Sequence, residues 1–87
     1  MDIRYKVEIK EFALKSLSEL PLRQQLRIRQ KIDALAANPY PPGYRKLKGE
    51  ELSYRIRVGD YRVVYEVHED MVLILVLRVG HRKDVYR

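Results

Sequence analysis

The sequence contains no cysteine and no tryptophan, and only four of its 87 residues are glycine and four proline. Without cysteine, neither a disulfide framework nor a thiolate metal site can form. The two histidines, His68 and His81, are too few to build a zinc site by themselves. We therefore expect neither a metal nor any other cofactor.

Long apolar runs are also missing. The longest one covers residues 71–77, which is far short of the roughly 20 residues that a helix needs to cross a bilayer. The N-terminus lacks the apolar stretch of a signal peptide. We therefore expect a cytoplasmic protein that does not contact a membrane.

Acidic residues are outnumbered: 18 Lys and Arg against 12 Asp and Glu give a net charge of +6. The basic residues are spread along the chain, so a basic surface has to be assembled by folding. Such a surface suits nucleic acid, an acidic protein partner, or both. The length is that of one domain, which would span residues 1–87.

The clearest structural signal is the stretch at residues 53–67, which is S-Y-R-I-R-V-G-D-Y-R-V-V-Y-E-V. Side chains alternate with a period of two on both sides of Gly59-Asp60, which predicts a β-hairpin with a type II′ turn. A two-residue turn places Val58 opposite Tyr61, and the remaining pairs follow from that register. They are Arg57 with Arg62, Ile56 with Val63, Arg55 with Val64 and Tyr54 with Tyr65.

This register gives the predicted hairpin one apolar face and one face that carries Arg55, Arg57 and Arg62 side by side. Like charges opposite each other destabilise a sheet by roughly 0.2–1 kcal/mol. Two interpretations are open: the arginine stems splay apart in solvent, or an anionic ligand supplies the missing counter-charge. Three arginines rather than lysines favour a phosphate ligand, which planar guanidinium groups bind through paired hydrogen bonds.

The remaining chain predicts an α+β fold in the order β-α-α-β-β-β. Alternation predicts a strand over residues 3–9, and helical spacing predicts helices over residues 10–19 and 22–37. An apolar run over residues 71–79 predicts an interior strand. We expect an antiparallel curved sheet with the helical hairpin packed on one face. The apolar stripe predicted for the second helix consists of Leu22, Leu26, Ile32, Leu35 and Ala36, widened by Ile28.

Three motifs in this order resemble the RelE-type toxins of the RelE/ParE superfamily. They are K-L-K-G at residues 46–49, Y-R-I-R-V-G-D-Y-R-V-V-Y-E-V at 54–67 and G-H-R-K-D-V-Y at 80–86. The resemblance covers nearly the whole chain. It implies a RelE-like fold and membership of a toxin–antitoxin system.

RelE-type toxins are ribosome-dependent endonucleases that cut messenger RNA in the ribosomal A site without a metal. The ribose 2′-hydroxyl attacks the adjacent phosphate and leaves a 2′,3′-cyclic phosphate and a 5′-hydroxyl. The resemblance therefore implies three partners: the ribosome with its 16S ribosomal RNA, messenger RNA, and a cognate antitoxin. Operator DNA would be bound only indirectly, through the complex with the antitoxin.

The resemblance also assigns the site residues. Arg62 and Arg82 would clamp the scissile phosphate, and Arg55 and Arg57 would hold neighbouring phosphates or orient the 2′-hydroxyl. The best-studied bacterial members have lysine at the latter two positions, and arginine is a poor base, so a positioning role is expected here. Tyr86 would stack on a base or pass a proton to the leaving oxygen, and His81 could serve as acid or base. The remaining assignments are RNA contacts by Arg45, Lys46 and Lys48.

Several of these assignments have structural alternatives. Tyr86 could be a core aromatic residue, His81 a surface histidine, and Lys46 and Lys48 part of a solvated loop. At the level of the whole protein, a ParE-like inhibitor of DNA gyrase and a non-catalytic RNA-binding or antitoxin-binding module are the alternatives to the nuclease.

Overall fold

The computed structural model of the protein describes residues 3–81, which form one sheet and one helical hairpin. In chain order, the elements are β1 (Lys6–Ile9), α1 (Glu11–Ser18), α2 (Leu22–Ala34), β2 (Arg45–Lys46), β3 (Ser53–Val58), β4 (Tyr61–His68) and β5 (Leu73–His81). The strand order across the sheet is β1-β5-β4-β3-β2. Two of the predicted site residues, Arg82 and Tyr86, lie outside the described residues.

The predicted α+β class, with a helical hairpin packed on one face of the sheet, is confirmed. Strands β2 to β5 pair antiparallel, as expected, whereas β1 runs parallel to β5. Parallel strands need a long connection between them. The helical hairpin and the strands that follow it provide this connection between β1 and β5. Strand β5 lies between β1 and β4, which is the interior position that its apolar sequence predicted.

The β3–β4 hairpin has the predicted register at every pair, from Val58 opposite Tyr61 to Tyr54 opposite Tyr65. Gly59 has a φ of +61°, and among the described non-glycine residues only Val72 has a positive φ. Asp60 is therefore not left-handed, which fits a type II′ turn. The alternation then places the arginines of both strands on one side of the sheet, which we call the arginine face. The other side is the helix face.

Both helices are shorter than predicted at their ends. Helix α2 ends at Ala34 because the next residues form tighter bonds, Leu35 N–H to the Ile32 carbonyl and Ala36 N–H to the Asp33 carbonyl. Pro21 immediately precedes α2, so it opens the second helix. No helix within residues 3–81 has the length and apolarity needed to cross a membrane.

The predicted apolar stripe of α2 is wrong in its first half. Leu22 and Leu26 are 69% and 59% exposed, and the buried positions are Ile28, Ile32 and Leu35. The same face continues back to Gln25, whose Nε2 donates to the carbonyls of Ser18 (3.2 Å) and Leu20 (2.8 Å). The end of α1 leaves carbonyls without helical partners, so a polar side chain is needed where leucine spacing suggested an apolar one.

The hydrophobic core lies between the helices and the helix face. Its members come from the two helices, the residue Leu35 after α2, and strands β3, β4 and β5: Ala13, Leu17, Ile28, Ile32, Leu35, Ile56, Val58, Val63, Tyr65, Val67, Ile74, Val76 and Val79. Tyr65 is its largest fully buried side chain. The Tyr65 hydroxyl donates a 2.6 Å hydrogen bond to the Pro39 carbonyl. Burial disfavours the phenolate and raises the pKa of Tyr65 well above the ordinary 10.0.

Replacing Tyr65 with phenylalanine is expected to lower the free energy of unfolding by about 1–3 kcal/mol, because the buried Pro39 carbonyl loses its donor. Chemical denaturation measures this loss. Tyr40→Phe is the matched control, since its hydroxyl bonds Glu69 Oε1 at an exposed site (2.8 Å). Its expected cost is about 0.5–1.5 kcal/mol. Equal losses in the free energy of unfolding of the two variants would show that burial of the Pro39 carbonyl adds nothing to the stabilisation by its hydrogen bond.

Candidate phosphate-binding site

A cavity of about 330 Å³ on the arginine face is lined by four arginine residues and one glycine. Its lining residues are Gly43, Arg45, Arg55, Arg57 and Arg62. Within the described residues, its wall carries no carboxylate. The structure thus brings together four residues that the sequence analysis assigned to RNA contacts or catalysis.

Strand pairing explains why these side chains meet. Arg45 on β2 is the Cα partner of Arg55 on β3, and Arg57 on β3 is the Cα partner of Arg62 on β4. Partners in an antiparallel ladder lie on the same face with Cα atoms about 4.5–5.5 Å apart. The β3–β4 hairpin alone supplies three arginines to the cluster. The short strand β2 adds the fourth, Arg45.

Each cross-strand arginine pair carries a repulsive cost of roughly 0.2–1 kcal/mol. The ion pairs formed within residues 3–81 are Lys6–Glu8 and His68–Glu66, and neither Arg45 nor Arg57 takes part in them. An anion in the cavity would replace this repulsion with attraction and accept hydrogen bonds from several planar donors. Phosphate matches this donor geometry.

The four arginines differ in exposure. Arg45 and Arg57 are exposed at the rim, whereas Arg55 and Arg62 are half-buried. The Nε atom of Arg62 is itself buried. Burial of this atom restricts the movement of the Arg62 guanidinium, which is a property expected of a donor that must be in place before charge develops.

Arg78 was not singled out by the sequence, but it lies on the same face. Val64 pairs with Arg78, and the next residue, Tyr65, pairs with Val76. Leu77 is thus the extra residue of a β-bulge. Regular alternation from Ile74 and Val76, which are buried on the helix face, would have directed position 78 into the core. The bulge is a register feature that has no local sequence signal.

The predicted RNA contacts at Lys46 and Lys48 are separate from the arginine cavity. Lys46 is the Cα partner of Tyr54, so it shares the helix face with that residue. It borders a shallow groove together with Glu50 and Glu51. Lys48 is exposed in the loop that follows β2. Neither lysine lines the arginine cavity.

His81 also lies away from the arginines. It is the Cα partner of Tyr61, and the two rings form an edge-to-face contact with centroids 5.9 Å apart. Tyr61 packs against the core, so the register places His81 on the helix face at the end of β5. Arg82 and Tyr86, the two other candidates from the C-terminal motif, lie outside the described residues.

A second, smaller cavity of about 150 Å³ adjoins the first at the edge of β3. Apolar groups of Ala34, Pro41, Pro42 and Ile56 line it, with Lys31 and Arg57 as the two cations. Gly43 and Arg57 line both cavities. A ligand in either cavity would therefore meet the same Arg57 side chain. Within residues 3–81 we find no cluster of three or more His, Cys, Asp or Glu side chains suited to a metal.

Comparison with known proteins agrees with this fold. The family model described as the ParE toxin of the type II toxin–antitoxin system parDE matches residues 7–86. The match begins within β1 and spans every later element described above. The chain therefore belongs to this family of type II toxins.

The individual relatives are RelE proteins. RelE1 of Methanocaldococcus jannaschii is 32% identical over 88 residues, covering 98% of this chain and 98% of that protein. The archaeal RelE–RelB complex of Pyrococcus horikoshii has a TM-score of 0.82 at 32% identity, covering 94% of this chain and 99% of that one. The RelBE2 toxin–antitoxin complex of Mycobacterium tuberculosis also has a TM-score of 0.82, at 26% identity, covering 97% and 98%. Within its family, the protein is a RelE-like toxin.

Proposed function

We propose that this toxin is a ribosome-dependent endonuclease that cuts messenger RNA in the ribosomal A site by metal-independent attack of a 2′-hydroxyl. The observation that carries the proposal is the cavity lined by four arginines, Arg45, Arg55, Arg57 and Arg62. A site made of guanidinium donors with no lining carboxylate among the described residues suits an RNA phosphate. Similarity to RelE proteins supports the same function.

The reaction exchanges one phosphorus–oxygen bond for another. The 2′-oxygen forms a bond to the adjacent phosphorus, and the bond to the 5′-oxygen of the next nucleotide breaks. The 2′-hydroxyl proton leaves to a base, and the departing 5′-oxygen gains a proton. The products are a 2′,3′-cyclic phosphate and a 5′-hydroxyl. Negative charge builds on the phosphate oxygens during this exchange, and preorganised donors stabilise it.

Arg62 is proposed as the central donor, since it is half-buried and its Nε atom is held inside the protein. Arg82 would complete the clamp on the scissile phosphate. Arg55 and Arg57 would bind flanking phosphates or align the 2′-hydroxyl, and Arg45 would extend the contact across β2. Arginine is a poor base, so none of these residues is proposed as the base.

Proton transfer is proposed for Tyr86, which would otherwise stack on a base, or for His81. The position of His81 beside Tyr61 favours Tyr86, because the arginine cavity opens on the other face of the sheet. Without a strong base, the rate depends on alignment of the 2′-oxygen with the phosphate. Alignment of the reacting groups raises a reaction rate by more than the ~10²–10⁴-fold that is typical of general acid–base catalysis. The ribosome would provide this alignment. We therefore expect negligible cleavage of naked RNA.

A cognate antitoxin is the proposed protein partner. Structures of the relatives from P. horikoshii and M. tuberculosis contain toxin–antitoxin complexes. The net charge of +6 and the exposed rim arginines favour an acidic antitoxin segment. Such a segment would compete directly with RNA for the arginine cavity.

Inhibition of DNA gyrase is the second candidate function, because the matching family description is that of ParE toxins. The terminal H-R-K-x-x-Y sequence at residues 81–86 and the arginine cluster favour the nuclease. A non-catalytic RNA-binding or antitoxin-binding module is the third. The three functions differ in what the purified protein does to messenger RNA and to supercoiling.

Reconstituted translation tests the proposal. The purified protein is expected to break messenger RNA at specific codons, as mapped by primer extension, and Arg82→Ala is expected to remove these breaks. The same messenger without ribosomes should stay intact. Intact messenger RNA together with inhibited supercoiling by gyrase would support the gyrase inhibitor and contradict the nuclease. A protein that neither cuts messenger RNA nor inhibits supercoiling would be the binding module.

His81→Gln and a variant of Tyr86, Tyr86→Phe, separate the two candidates for proton transfer in that assay. The variant that loses roughly 10²-fold or more in cleavage rate identifies the acid–base group. We expect that loss for Tyr86→Phe.

A further inference from the structure

The smaller cavity beside β3, which we call the edge cavity, combines apolar walls with two cations. The cations are Lys31 and Arg57, and the apolar groups come from Ala34, Pro41, Pro42 and Ile56. Within the described residues, no acidic side chain lines this cavity. Neither Lys31 nor Arg57 forms an ion pair within residues 3–81. A ligand that fits the edge cavity should therefore carry an apolar group next to a negative charge.

The backbone of Arg57 also faces the outer edge of the sheet. In an antiparallel ladder, successive residues of a strand direct their N–H and C=O groups to opposite neighbours. The Ser53 carbonyl accepts from Leu47 N–H on the β2 side (2.9 Å), whereas the Leu52 carbonyl accepts from Val67 N–H on the β4 side (3.0 Å). Arg57 lies four residues after Ser53 in the same strand, so its N–H and C=O groups also point to the β2 side.

Strand β2 is too short to cover this part of the edge. Its two pairs with β3 are Arg45 with Arg55 and Lys46 with Tyr54. Continuing this register would place Gly43 opposite Arg57, but within residues 3–81 no backbone hydrogen bond joins these two residues. Both line the edge cavity. The cavity therefore contains a backbone donor and a backbone acceptor that no neighbouring strand satisfies.

The shape of this edge suits a planar ring better than an added peptide strand. An added strand forms hydrogen bonds with several outward-facing residues, but Arg57 is the one such residue of β3 between the end of β2 and the turn at Gly59. Uracil and cytosine each present a donor beside an acceptor along one edge of the ring. The cavity volume of about 150 Å³ is one in which a protein can hold a benzene ring. A one-ring pyrimidine therefore fits better than a two-ring purine.

We propose that the edge cavity is a base-binding subsite that takes a pyrimidine of the RNA chain. This inference rests on the proposed RNA substrate. The edge of the base bonds the N–H and C=O groups of Arg57, and the Lys31 ammonium group donates to a carbonyl oxygen of the ring. Because the Arg57 side chain also lines the arginine cavity, a phosphate attached to the same nucleotide lies within its reach. The subsite adds a preference for the type of base to a site whose arginines recognise phosphate.

Filling the edge cavity tests the subsite. Ala34→Leu adds apolar bulk to the cavity wall from an exposed position on α2 and removes no charge. The probes are short uridylate, adenylate and abasic chains of equal charge with 2′-O-methyl riboses, which cannot be cleaved by 2′-hydroxyl attack. Fluorescence anisotropy at low salt measures their affinities. We expect the wild type to bind the uridylate most tightly. Ala34→Leu should bind the uridylate about tenfold more weakly and the abasic chain as the wild type does.

Ala37→Leu is the matched control, because Ala37 is also exposed but does not line the edge cavity. It should bind all three probes as the wild type does. Ala34→Met, whose side chain is more flexible, replaces the leucine variant if thermal melting shows that leucine disturbs the fold. Unchanged uridylate affinity in a folded Ala34 variant overturns the subsite, as does equal weakening of the abasic chain. A wild type that binds the adenylate as tightly as the uridylate also overturns it.

Two further outcomes separate this inference from the proposed function. Weaker uridylate binding by Ala34→Leu, in a protein whose wild type cuts no codon in reconstituted translation, would support the base subsite and contradict the nuclease. Unchanged uridylate binding by Ala34→Leu together with weaker antitoxin binding would overturn the base subsite and assign the edge cavity to an apolar side chain of the antitoxin.

Discussion

Arg62→Ala is expected to slow codon cleavage on the ribosome by about 10²–10³-fold and to relieve growth arrest, with the fold intact. That range is typical for removal of one preorganised donor from a site where charge develops. Arg62 has the strongest case because it faces Arg57 across the ladder and its Nε atom is buried. Single-turnover cleavage in reconstituted translation measures the effect directly.

Two controls sharpen the Arg62 experiment. Arg62→Lys keeps the charge but loses the planar pair of donors, so an intermediate rate is expected. Arg29→Ala removes an exposed arginine from α2 and should leave the rate unchanged. Growth arrest by folded Arg62→Ala that is as strong as that of the wild type would show that the cavity does not carry the activity.

Gly59→Val is expected to destabilise the protein severely and to lower its Tm by about 5–20 °C. A non-glycine residue at positive φ costs about 1–3 kcal/mol, and each kcal/mol corresponds to roughly 4–8 °C in a domain of this size. Gly59 has a φ of +61°. A Cβ atom there would also lie 3.2 Å from Nη1 of Arg27, which packs over the turn from α2.

Gly49→Val is the matched control for this turn. Gly49 has a φ of +82°, but no atom lies within 4 Å of the position that its Cβ would take. The control contains the backbone strain without the contact to Arg27 and lies outside the central hairpin. The difference between the two Tm values therefore reports the contact with Arg27 together with the position of Gly59 in the central hairpin. A Gly59 variant that melts no lower than the Gly49 variant would contradict the prediction.

Local patterns in the sequence predicted the parts of the fold that depend on neighbouring residues. The β3–β4 hairpin follows from period-two alternation on both sides of Gly59-Asp60, and its register is confirmed pair by pair. The interior position of β5 follows from its apolar composition. The positions and lengths of the helices were predicted to within a few residues. The differences lie in the terminal turns, where the ends of a helix are least well defined.

Predictions failed where distant segments decide the environment of a residue. Leucine spacing on α2 suggested that Leu22 and Leu26 face the core, but the carbonyls at the end of α1 need the Gln25 amide on that side. The parallel pairing of β1 with β5 depends on segments that lie some 60 residues apart, so no local pattern indicates it.

The candidate site divides in the same way. Alternation along β3 and β4 is a property of consecutive residues, and it determined by itself that Arg55, Arg57 and Arg62 share one face. Only the tertiary structure decided that β2 adds Arg45, that His81 lies on the opposite face, and that Arg78 joins the arginines. The physical reason is that a strand's own periodicity sets which side chains share a face, whereas pairing between strands sets which arginines become neighbours. A one-residue bulge, which has no local signal in the sequence, then reverses which side chains face the core beyond it.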